Sequence, residues 1–554
     1  MQAPDPNSPT SNAAPDQARP AAQAAPPHAA LQSAWGPLKT PVFRMLWGTW
    51  LAANISMWMN DVAAAWMMTS LTNSPIWVAL VQTASTLPVF LLGLPSGALA
   101  DILDRRRYFI ITQFWLAATA IVLCVTVVLD LMTAPLLLAL TFANGVGLAM
   151  RWPVFAAIIP EIVPRSQLPT ALALNGVAMN ASRIVGPLVA GALIASAGTA
   201  YVFVLNAVLS VASAFVIMRW RREHSPSPLG RERLFSAMRV GMQFVRQSAR
   251  LRAVFVRVAL FFFHSTALLA LLPLLARGLK GGDAGTFTLL LASMGMGAIT
   301  VATVLPRLRR ALSGNHLVLG GTLLQSAATA VMAVAPNVYV AVPAMFVAGM
   351  AWLSTANTLS VSAQMSLPDW VRARGMSMYQ MAIMGGSALG AALWGQVATV
   401  TTLTTSLVAS ALTGTVAMLL AQRFLMDPGL EEDLTPSHAF KAPVHDAPPQ
   451  AGQVVVTIEY LIDPARSEEF HTLMQLSRRS RLRQGALGWE LLHDISTPGR
   501  FVEQIIDESW TEHLRRFDRI TAADVALRER KLAFHLSPEQ PRVTRYVMAT
   551  STLN

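Results

Sequence analysis

Four ionisable residues lie within long apolar stretches of the sequence, namely Asp61, Arg151, Arg183 and His264. An aspartate or a histidine can take up and release a proton, and an arginine can hold an anion. A charge inside hydrocarbon is costly unless it is paired or hydrated, so such residues tend to mark an ion or ligand pathway. These four are therefore the first candidates for binding or proton-transfer chemistry.

Each of these candidates also has a purely structural explanation. Arg183 could pair with helix-end carbonyls or with Asp61, which would only lock helices together. Asp61 lies toward the outer part of its apolar stretch, where water would leave it inert. Arg151 adjoins Trp152, a sign of a packing break, and His264 stands among phenylalanines as a packed polar residue would. Both explanations stay open at this point.

A second group of charged residues lies in "GALADILDRRR", Gly97 to Arg107, which is called the charged loop below. Within one helical turn the sequence changes from apolar residues to two aspartates beside three arginines. Such a cluster is typical of the point where a helix leaves a membrane on its cytoplasmic side. The residues of interest are Gly97, Leu99, Asp101, Asp104, Arg105 and Arg106.

The elements that must position these residues are membrane helices. Hydrophobic residues make up 53% of the 554 positions and charged residues only 13%, whereas soluble domains carry about 25% charged residues. Apolar runs recur near the ~20 residues that cross a bilayer. We therefore predict an all-α polytopic membrane protein with twelve spans. They lie at residues 43–70, 76–100, 108–131, 135–158, 168–197, 201–218, 254–275, 285–305, 316–334, 338–361, 375–399 and 404–425.

The positions of the arginines orient the spans. Basic residues fall in every second loop, including residues 105–107, 307–310 and the middle loop at 219–252. By the positive-inside rule, both termini and the middle loop are cytoplasmic. We expect the spans to cross the plasma membrane, the inner membrane of a bacterium. Residues 1–38, rich in Ala and Pro, are predicted to form a disordered cytoplasmic tail.

The middle loop is strongly basic, with Leu234, Met238 and Val245 near helical spacing. We expect an amphipathic helix that lies on anionic lipid, so the bilayer is a partner. A nucleic-acid partner is not expected, because it would need a soluble basic domain. The single cysteine, Cys124, excludes an intramolecular disulfide and a cysteine-rich metal site. No metal and no cofactor are therefore expected.

Residues 39–218 and 253–425 look like two copies of one six-helix unit, offset by 204 positions. The matched pairs are Phe142 and Phe346, Gly145 and Gly349, Pro164 and Pro368, Gly186 and Gly390, Gly191 and Gly395, Arg105 and Arg309, and Arg106 and Arg310. A parallel repeat of this kind is a transporter architecture, in which a small-molecule substrate binds between the halves.

For the small residues in the repeated stretches, we favour a structural role over a role in gating. Glycines let helices approach closely in lipid, where packing replaces the hydrophobic drive. Helix packing is the role that we expect for Gly186, Pro187, Gly191, Gly390 and Gly395. A kink at Pro187 that bends during gating is the alternative.

The charged loop resembles the signature between helices 2 and 3 of the major facilitator superfamily. The resemblance is carried by Gly97, Leu99, Ala100, Asp101, Arg105 and Arg106. It departs from the family pattern at Ile102, often a basic residue, and at Asp104, often glycine. The variant is similar to the branch that contains the enterobactin exporter and the transmembrane secretion effectors, as are "NASRIVGPLVAG" and "RFVEQIIDESWTEHLRR".

The resemblance implies a secondary exporter that works by alternating access on a siderophore, a drug or another small molecule. No Walker-type phosphate loop is present, so protons are the expected energy source and the four intramembrane ionisable residues the expected translocation or coupling residues. The resemblance also implies a gate, in which Asp101 approaches Arg374 and Gly375 at the start of the eleventh predicted span. The helix dipole there favours a carboxylate.

The chain continues beyond the membrane through a linker at residues 426–452 into residues 453–554, where fourteen acidic and fourteen basic residues balance. The pattern strand, helix, strand, strand, helix, strand predicts a ferredoxin-like α+β domain in the cytoplasm. We favour a docking or regulatory domain that can form a homodimer, and we expect no enzyme activity.

An alternative of a different class remains for this domain. Such units resemble monooxygenases and small haem-degrading enzymes, so the chain could be a transporter fused to an enzyme or to a ligand sensor. The histidines to search for a site are His471, His493, His513 and His535. Their wide spacing fits no compact metal motif.

Overall fold

The computed structural model describes residues 35–164, 167–219, 234–425, 433–437, 439–440, 443 and 452–548. The first half of a helical bundle consists of α1 (Pro41–Leu71), α2 (Pro75–Ile102), α3 (Arg105–Val128), α4 (Ala134–Ile162), α5 (Leu168–Ser196) and α6 (Thr199–Met218). The shorter α7 (Leu234–Gln247) follows. The second half consists of α8 (Ala249–Gly278), α9 (Ala284–Ala311), α10 (Gly314–Val334), α11 (Val338–Met365), α12 (Asp369–Val400) and α13 (Leu403–Phe424). Residues 1–34 of the predicted tail lie outside the description.

Most of the long helices suit a bilayer. In the described residues, eleven helices are long and apolar enough to cross a membrane. The other long helix is α1, whose 31 residues include Asn54, Asn60 and Asp61. Hydrocarbon offers no hydrogen-bond partners, so a chain of this composition must satisfy its backbone groups within helices.

The two halves pack alike. In each half the first helix packs against the fifth and sixth, the second against the fourth, and the third against the fourth and sixth. The halves meet along two equivalent crossings, α2 with α12 and α5 with α9. The offset of 204 positions relates α2 to α9 and α5 to α12, so each crossing is the counterpart of the other. The internal repeat therefore extends to tertiary structure.

The end of the bundle away from the C-terminal domain, called the far end, is packed shut. Trp66 of α1 stacks on Phe287 of α9 with ring centroids 5.2 Å apart. Arg277 of α8 donates a hydrogen bond to the carbonyl of Thr69. One hydrophobic cluster draws its buried residues from both halves at this end. Contacts between the halves therefore close the far end.

The C-terminal domain contains one antiparallel sheet with helices. Its elements are β1 (Val454–Leu461), α14 (Ser467–Arg483), β2 (Gly488–His493), β3 (Arg500–Asp507), α15 (Trp510–Asp518), α16 (Ala522–Leu532) and β4 (Val543–Val547). The strand order is β2-β3-β1-β4. The sequence pattern predicts one continuous helix where α15 and α16 lie, but a capping box of Thr521 and Asp524 starts a separate helix.

The apolar face of α7 is covered by protein. Val240, Phe244 and Val245 are 0%, 2% and 7% exposed. The Phe244 ring meets Trp370, at the start of α12, edge to face at 5.6 Å, and Val240 lies beside Gly485 of the C-terminal domain. The helix is amphipathic as predicted, but the expectation that this face lies on lipid is wrong. Residues distant in sequence cover it.

Polar contacts also join α7 to the C-terminal domain. Arg239 Nη2 lies 2.7 Å from Glu508 Oε2, and Ser236 Oγ donates to the same oxygen at 2.6 Å. Gln243 Nε2 donates to the carbonyl of Ala486 at 3.2 Å. The middle loop therefore carries a docking helix that holds the domain against the bundle.

Candidate functional site

Arg183 lies where the two halves of the bundle meet. Its Cζ is 5.5 Å from the ring centroid of Trp58 on α1 and 4.6 Å from that of Trp352 on α11. The negative face of an indole ring attracts a guanidinium cation. The Nε atom is buried without a hydrogen-bond partner in the described residues. Aromatic rings from both halves thus hold a cation that keeps unused hydrogen-bonding capacity.

Asp61 is not the partner of Arg183. Its Oδ1 accepts a hydrogen bond from Ser85 Oγ of α2 at 3.0 Å. Among the described residues it forms no ion pair, so the alternative in which Asp61 and Arg183 lock the first half does not match this geometry. A carboxyl group with a hydroxyl partner and no adjacent cation is chemically suited to hold a proton.

Small residues on α5 set the distance from this helix to its neighbours. A Cβ atom at Gly186 would lie 2.5 Å from the Cβ atom of Trp58, so a larger residue would push α5 away from α1. At Gly191 a Cβ atom would overlap the side chain of Thr288, on α9 of the other half. The helix continues without interruption through Pro187.

The second half repeats this arrangement on α12. A Cβ atom at Gly390 would overlap the backbone of Phe263 on α8, and one at Gly395 would overlap Ala79 on α2 of the other half. Gly186 and Gly390 therefore lie at crossings within a half. Their neighbours Gly191 and Gly395 lie at crossings between the halves.

Arg151 is enclosed within the first half. Only 2% of the residue is exposed, and its Cζ lies 5.0 Å from the ring centroid of Trp50. That ring stacks in turn on Phe155 at 3.8 Å. Arg151 Nε and Nη2 have no hydrogen-bond partner among the described residues. Its surroundings are aromatic packing between α1 and α4, away from the interface of the halves.

His264 lies inside the second half. Its Nδ1 is 3.4 Å from Thr413 Oγ1, and its ring is 5.6 Å from that of Trp394. It lines a small polar hollow with Gln325 and Ser410. The four candidates are therefore not brought together, and Arg183 is the one whose ring partners come from both halves.

Two charges of the charged loop have structural partners. Asp104 Oδ1 accepts a hydrogen bond from the backbone N–H of Arg107 at 2.8 Å, so Asp104 is the N-cap of α3. Arg106 Nη2 donates to the carbonyl of Met218 at 3.0 Å, at the last residue of α6. Sequence reasoning missed both capping contacts, although an aspartate before a helical run is a capping signal.

The rest of the charged loop lies around the end of α2. Leu99 is 39% exposed, and a Cβ atom at Gly97 would lie at an ordinary 3.9 Å from Pro153. Arg105 is the first residue of α3. The predicted approach of Asp101 to α12 involves a side chain outside the described residues.

Three histidines of the C-terminal domain have separate partners, and the fourth, His471, is exposed on α14. His513 Nδ1 is 2.7 Å from Asp507 Oδ2 and is buried, whereas His535 Nδ1 accepts from the backbone N–H of Leu461. His493 stacks on Phe501. Within the described part of the chain, no three His, Cys, Asp or Glu side chains are grouped as metal ligands.

Glu503 is the centre of a buried polar network in this domain. Its carboxylate lies 3.1 Å from Lys531 Nζ and accepts hydrogen bonds from Ser477 and Trp489. Burial by itself raises the pKa of Glu503, but the charges of Lys531 and Arg481 outweigh burial and hold that pKa below its ordinary range. Burial lowers the pKa of Lys531 to about 8, with Glu503 opposing the shift. Both groups are charged at neutral pH.

Several important residues were missed at the sequence level. The aromatic partners Trp58 and Trp352 carry no charge signal, and their pairing with Arg183 depends on helix packing. Arg257 does carry such a signal, since it lies within a predicted span. Its Nη1 donates to Asn315 Oδ1 at 2.7 Å and its Nη2 to the carbonyl of Leu425 at 3.1 Å. These bonds join α8 to α10 and to the end of α13.

Comparison with known families gives a match over most of the chain. The family model described as transmembrane secretion effector matches residues 32–553. The enterobactin exporter of Salmonella choleraesuis (strain SC-B67) is 25% identical over 364 residues, which cover 65% of this chain and 86% of that protein.

Two further curated relatives match shorter segments. The staphyloferrin A transporter of Staphylococcus aureus is 22% identical over 252 residues, and the match spans 45% of this chain and 63% of that protein. The macrolide efflux protein A of Streptococcus pyogenes is 24% identical over 242 residues, covering 42% of this chain and 58% of its own. These matches span less than two thirds of either relative.

Solved structures share the helical fold. A POT family transporter in complex with 5-aminolevulinic acid superposes with a TM-score of 0.55 at 11% identity, covering 68% of this chain and 95% of that one. A nucleoside transporter gives a TM-score of 0.55 at 12% identity, with 69% and 98% coverage. At such identities the likeness shows the fold alone.

Proposed function

The chain belongs to the transmembrane secretion effectors of the major facilitator superfamily, and we propose that it exports a small molecule such as a siderophore or a drug by alternating access. In this proposal all twelve long helices, α1 included, cross the inner membrane. Both termini and the C-terminal domain are cytoplasmic, and the far end faces outward. The exporters among its relatives support the direction of transport.

The observation that carries the proposal is the position of Arg183 between the halves. Trp58 belongs to one half and Trp352 to the other. Rocking the halves apart removes one of the two stacking partners, so the environment of the cation changes with the transport state. We propose that Arg183 binds an anionic group of the substrate, which takes up its unused hydrogen-bonding capacity.

We propose that protons drive transport and that Asp61 carries them. The Ser85 hydroxyl holds the carboxyl of Asp61 at the contact of α1 and α2. Protonation would remove the cost of burying its charge during the conformational change. Arg151 and His264 are proposed to contribute through the packing of their own halves, because each is enclosed within one half.

The test uses purified protein in proteoliposomes with an imposed proton gradient and labelled siderophores and drugs. Wild type should show gradient-driven flux, and Asp61→Asn should lose this flux but keep substrate counterflow, which needs no net proton movement. Flux in wild type that does not depend on the gradient would contradict proton coupling. Absence of flux for every ligand that the protein binds would contradict transport.

We further propose that Asp101 closes the cytoplasmic side against Arg374 and Gly375 at the start of α12. Asp101→Asn should weaken this contact and shift the population to the inward-open state. Labelling of a cysteine placed near Gly97 from the cytoplasmic side should then become faster. Unchanged labelling in the variant would count against the gate.

For the C-terminal domain we propose a ferredoxin-like fold that forms a homodimer through the open face of its sheet. The strand order and antiparallel pairing support the fold. Exposed apolar residues such as Leu492 and Tyr546 support the contact. Cross-linking through a cysteine at position 546 in native membranes tests it, and a product of monomer size alone would contradict the dimer.

A further inference from the structure

The C-terminal domain contains a cavity of about 360 Å³ between its sheet and helices. Val456 and Ile458 of β1 and Val543 of β4 form the apolar floor of the cavity. Phe517 and Leu527, from the helices, add to its apolar lining. A cavity of this volume is at the small end of the range for ligand sites.

The rest of the lining is strongly cationic. Five basic side chains contribute to it, whereas Asp524 is the one lining carboxylate among the described residues; the basic residues are Arg481, Arg516, Arg528, Lys531 and Arg545. Two buried carboxylates lie beneath some of them. Glu503 pairs with Lys531 at 3.1 Å, and Asp507 pairs with Arg516 at 2.9 Å. Buried charges need such partners, so these pairs account for part of the positive charge.

Arg528 and Arg545 are not neutralised in this way. Among the described residues, neither forms an ion pair with a carboxylate. Arg528 Nη2 donates to Gln540 at 3.3 Å, and Arg545 Nε lies 3.3 Å from His513 Nε2. Two guanidinium groups with neutral partners therefore face a partly open cavity, an arrangement that favours a bound negative charge.

A segment of the linker completes the cavity. Ala439 and Phe440 contribute to the lining, and Arg528 Cζ lies 4.8 Å from the Phe440 ring centroid. Backbone bonds hold the segment just before them, since Thr435 and Asp433 accept from Ala522 and Ala523 at the start of α16. The cavity thus includes residues from the connection that leads back to α13.

We propose that this cavity binds a small organic anion, whose acidic group contacts Arg528 and Arg545 and whose apolar body packs against Phe440 and the sheet. The proposal is independent of the substrate that the bundle exports. A cation is disfavoured by the excess of guanidinium groups. Inorganic phosphate alone would leave the apolar floor without contacts.

The test measures binding of radiolabelled benzoate to the full chain in nanodiscs, with benzylamine as a probe of the same shape and opposite charge. Benzoate should bind saturably and benzylamine should not. Arg528→Gln and Arg545→Gln should each weaken benzoate binding by roughly tenfold, the usual effect of losing a charge-assisted hydrogen bond. Arg530→Gln, exposed on the same helix, is the matched control and should bind as wild type does.

Two further variants separate this site from misfolding and from the bundle. Phe440 lies in the linker, outside the sheet and helices. Phe440→Ala should also weaken benzoate binding. Arg183→Gln, at the anion site proposed for the bundle, should retain the saturable benzoate binding that Arg528→Gln and Arg545→Gln weaken. Loss of binding in Arg183→Gln with retention in Arg528→Gln and Arg545→Gln would place the anion in the bundle and overturn the proposal. So would equal binding of benzylamine, tighter binding of phosphate than benzoate, or no saturable benzoate binding.

Discussion

At the scale of single residues, the most informative contact is the guanidinium of Arg183 between two indole rings. Arginine and lysine share a charge, but only the planar guanidinium can stack on both rings and present several donors to an anion. The type of residue therefore matters here beyond its charge. Trp58 and Trp352 supply the rings, one from each half.

Replacing Arg183 should lower export of an anionic substrate. We expect Arg183→Gln to reduce kcat/KM by about tenfold to a hundredfold, since it loses a charge-assisted hydrogen bond and two cation–π contacts. Arg183→Lys should fall between Gln and wild type. Flux in proteoliposomes measures both, and Arg423→Gln, exposed in the last turn of α13, is the control. Full activity in Arg183→Gln would exclude Arg183 from the substrate site.

Asp104 belongs to the same scale, because its role is decided by one hydrogen bond. Asp104→Ala should destabilise the first turn of α3 by about 1 kcal/mol, the usual cost of removing an N-cap. Asp104→Asn keeps the acceptor and should preserve the turn. Hydrogen exchange in the peptide covering the start of α3 measures the difference. If Asp104→Asn keeps the turn but loses transport, the charge itself acts in gating.

At the scale of elements, the crossings of α5 with α9 and α2 with α12 hold the halves together. They depend on Gly191 and Gly395, which occupy equivalent positions in the repeat. Glycine permits backbones to approach closely, and packing of this kind is the main source of helix association in lipid. Movement between the halves must slide or open these crossings.

A larger residue at either glycine should act on the interface between the halves. Gly191→Val and Gly395→Val should each reduce transport several-fold and lower thermal stability, because the new side chain overlaps Thr288 or Ala79. Gly176→Val is the matched control, since a Cβ atom at Gly176 on α5 meets nothing within 4 Å. Comparable loss in the control would indicate a general effect of valine on α5.

At the scale of the whole molecule, two bodies with different physics are joined. The bundle is stabilised in lipid by close packing, whereas the C-terminal domain depends on buried ion pairs around Glu503 and Asp507. Burial raises the pKa of both carboxyl groups, but neighbouring cations outweigh it and hold each pKa below its ordinary range. The folded domain therefore resists protonation of these groups more than the unfolded chain does.

Lowering the pH should therefore destabilise the C-terminal domain before it destabilises the bundle. A carboxylate whose pKa is depressed on folding contributes stability above its ordinary pKa, and this contribution is lost as the pH falls below about 4.5. Hydrogen exchange of the peptides covering β1 and β3, corrected for the intrinsic pH dependence of exchange, measures the change. Uniform protection from pH 7 to pH 3 would contradict the expectation.

The same measurement separates Glu503 from surface carboxylates. Glu503→Gln leaves the buried charge of Lys531 without its partner, so it should destabilise the domain at pH 7 by about 3 kcal/mol or more. It should also flatten the acid dependence. Glu490→Gln, exposed on the adjacent strand β2, should do neither.

Features that depend on local composition and spacing could be predicted from the sequence. Apolar runs predict where the long helices lie, because hydrocarbon forces each segment to satisfy its own backbone hydrogen bonds. The offset of 204 positions predicts two similar halves, and the alternation after residue 453 predicts the strands. The break between α15 and α16 was missed, because a capping box within a continuous helical pattern leaves the period almost unchanged.

Which distant residues meet could not be predicted in this way and depends on the packing of the folded chain. Arg183 lies between Trp58 and Trp352 and not against Asp61, and the apolar face of α7 packs on α12 and on the C-terminal domain. A charge or an amphipathic pattern states that a partner is needed, but lipid, aromatic rings and a folded domain all satisfy that need. The choice among them follows from how the helices pack, which no local pattern contains.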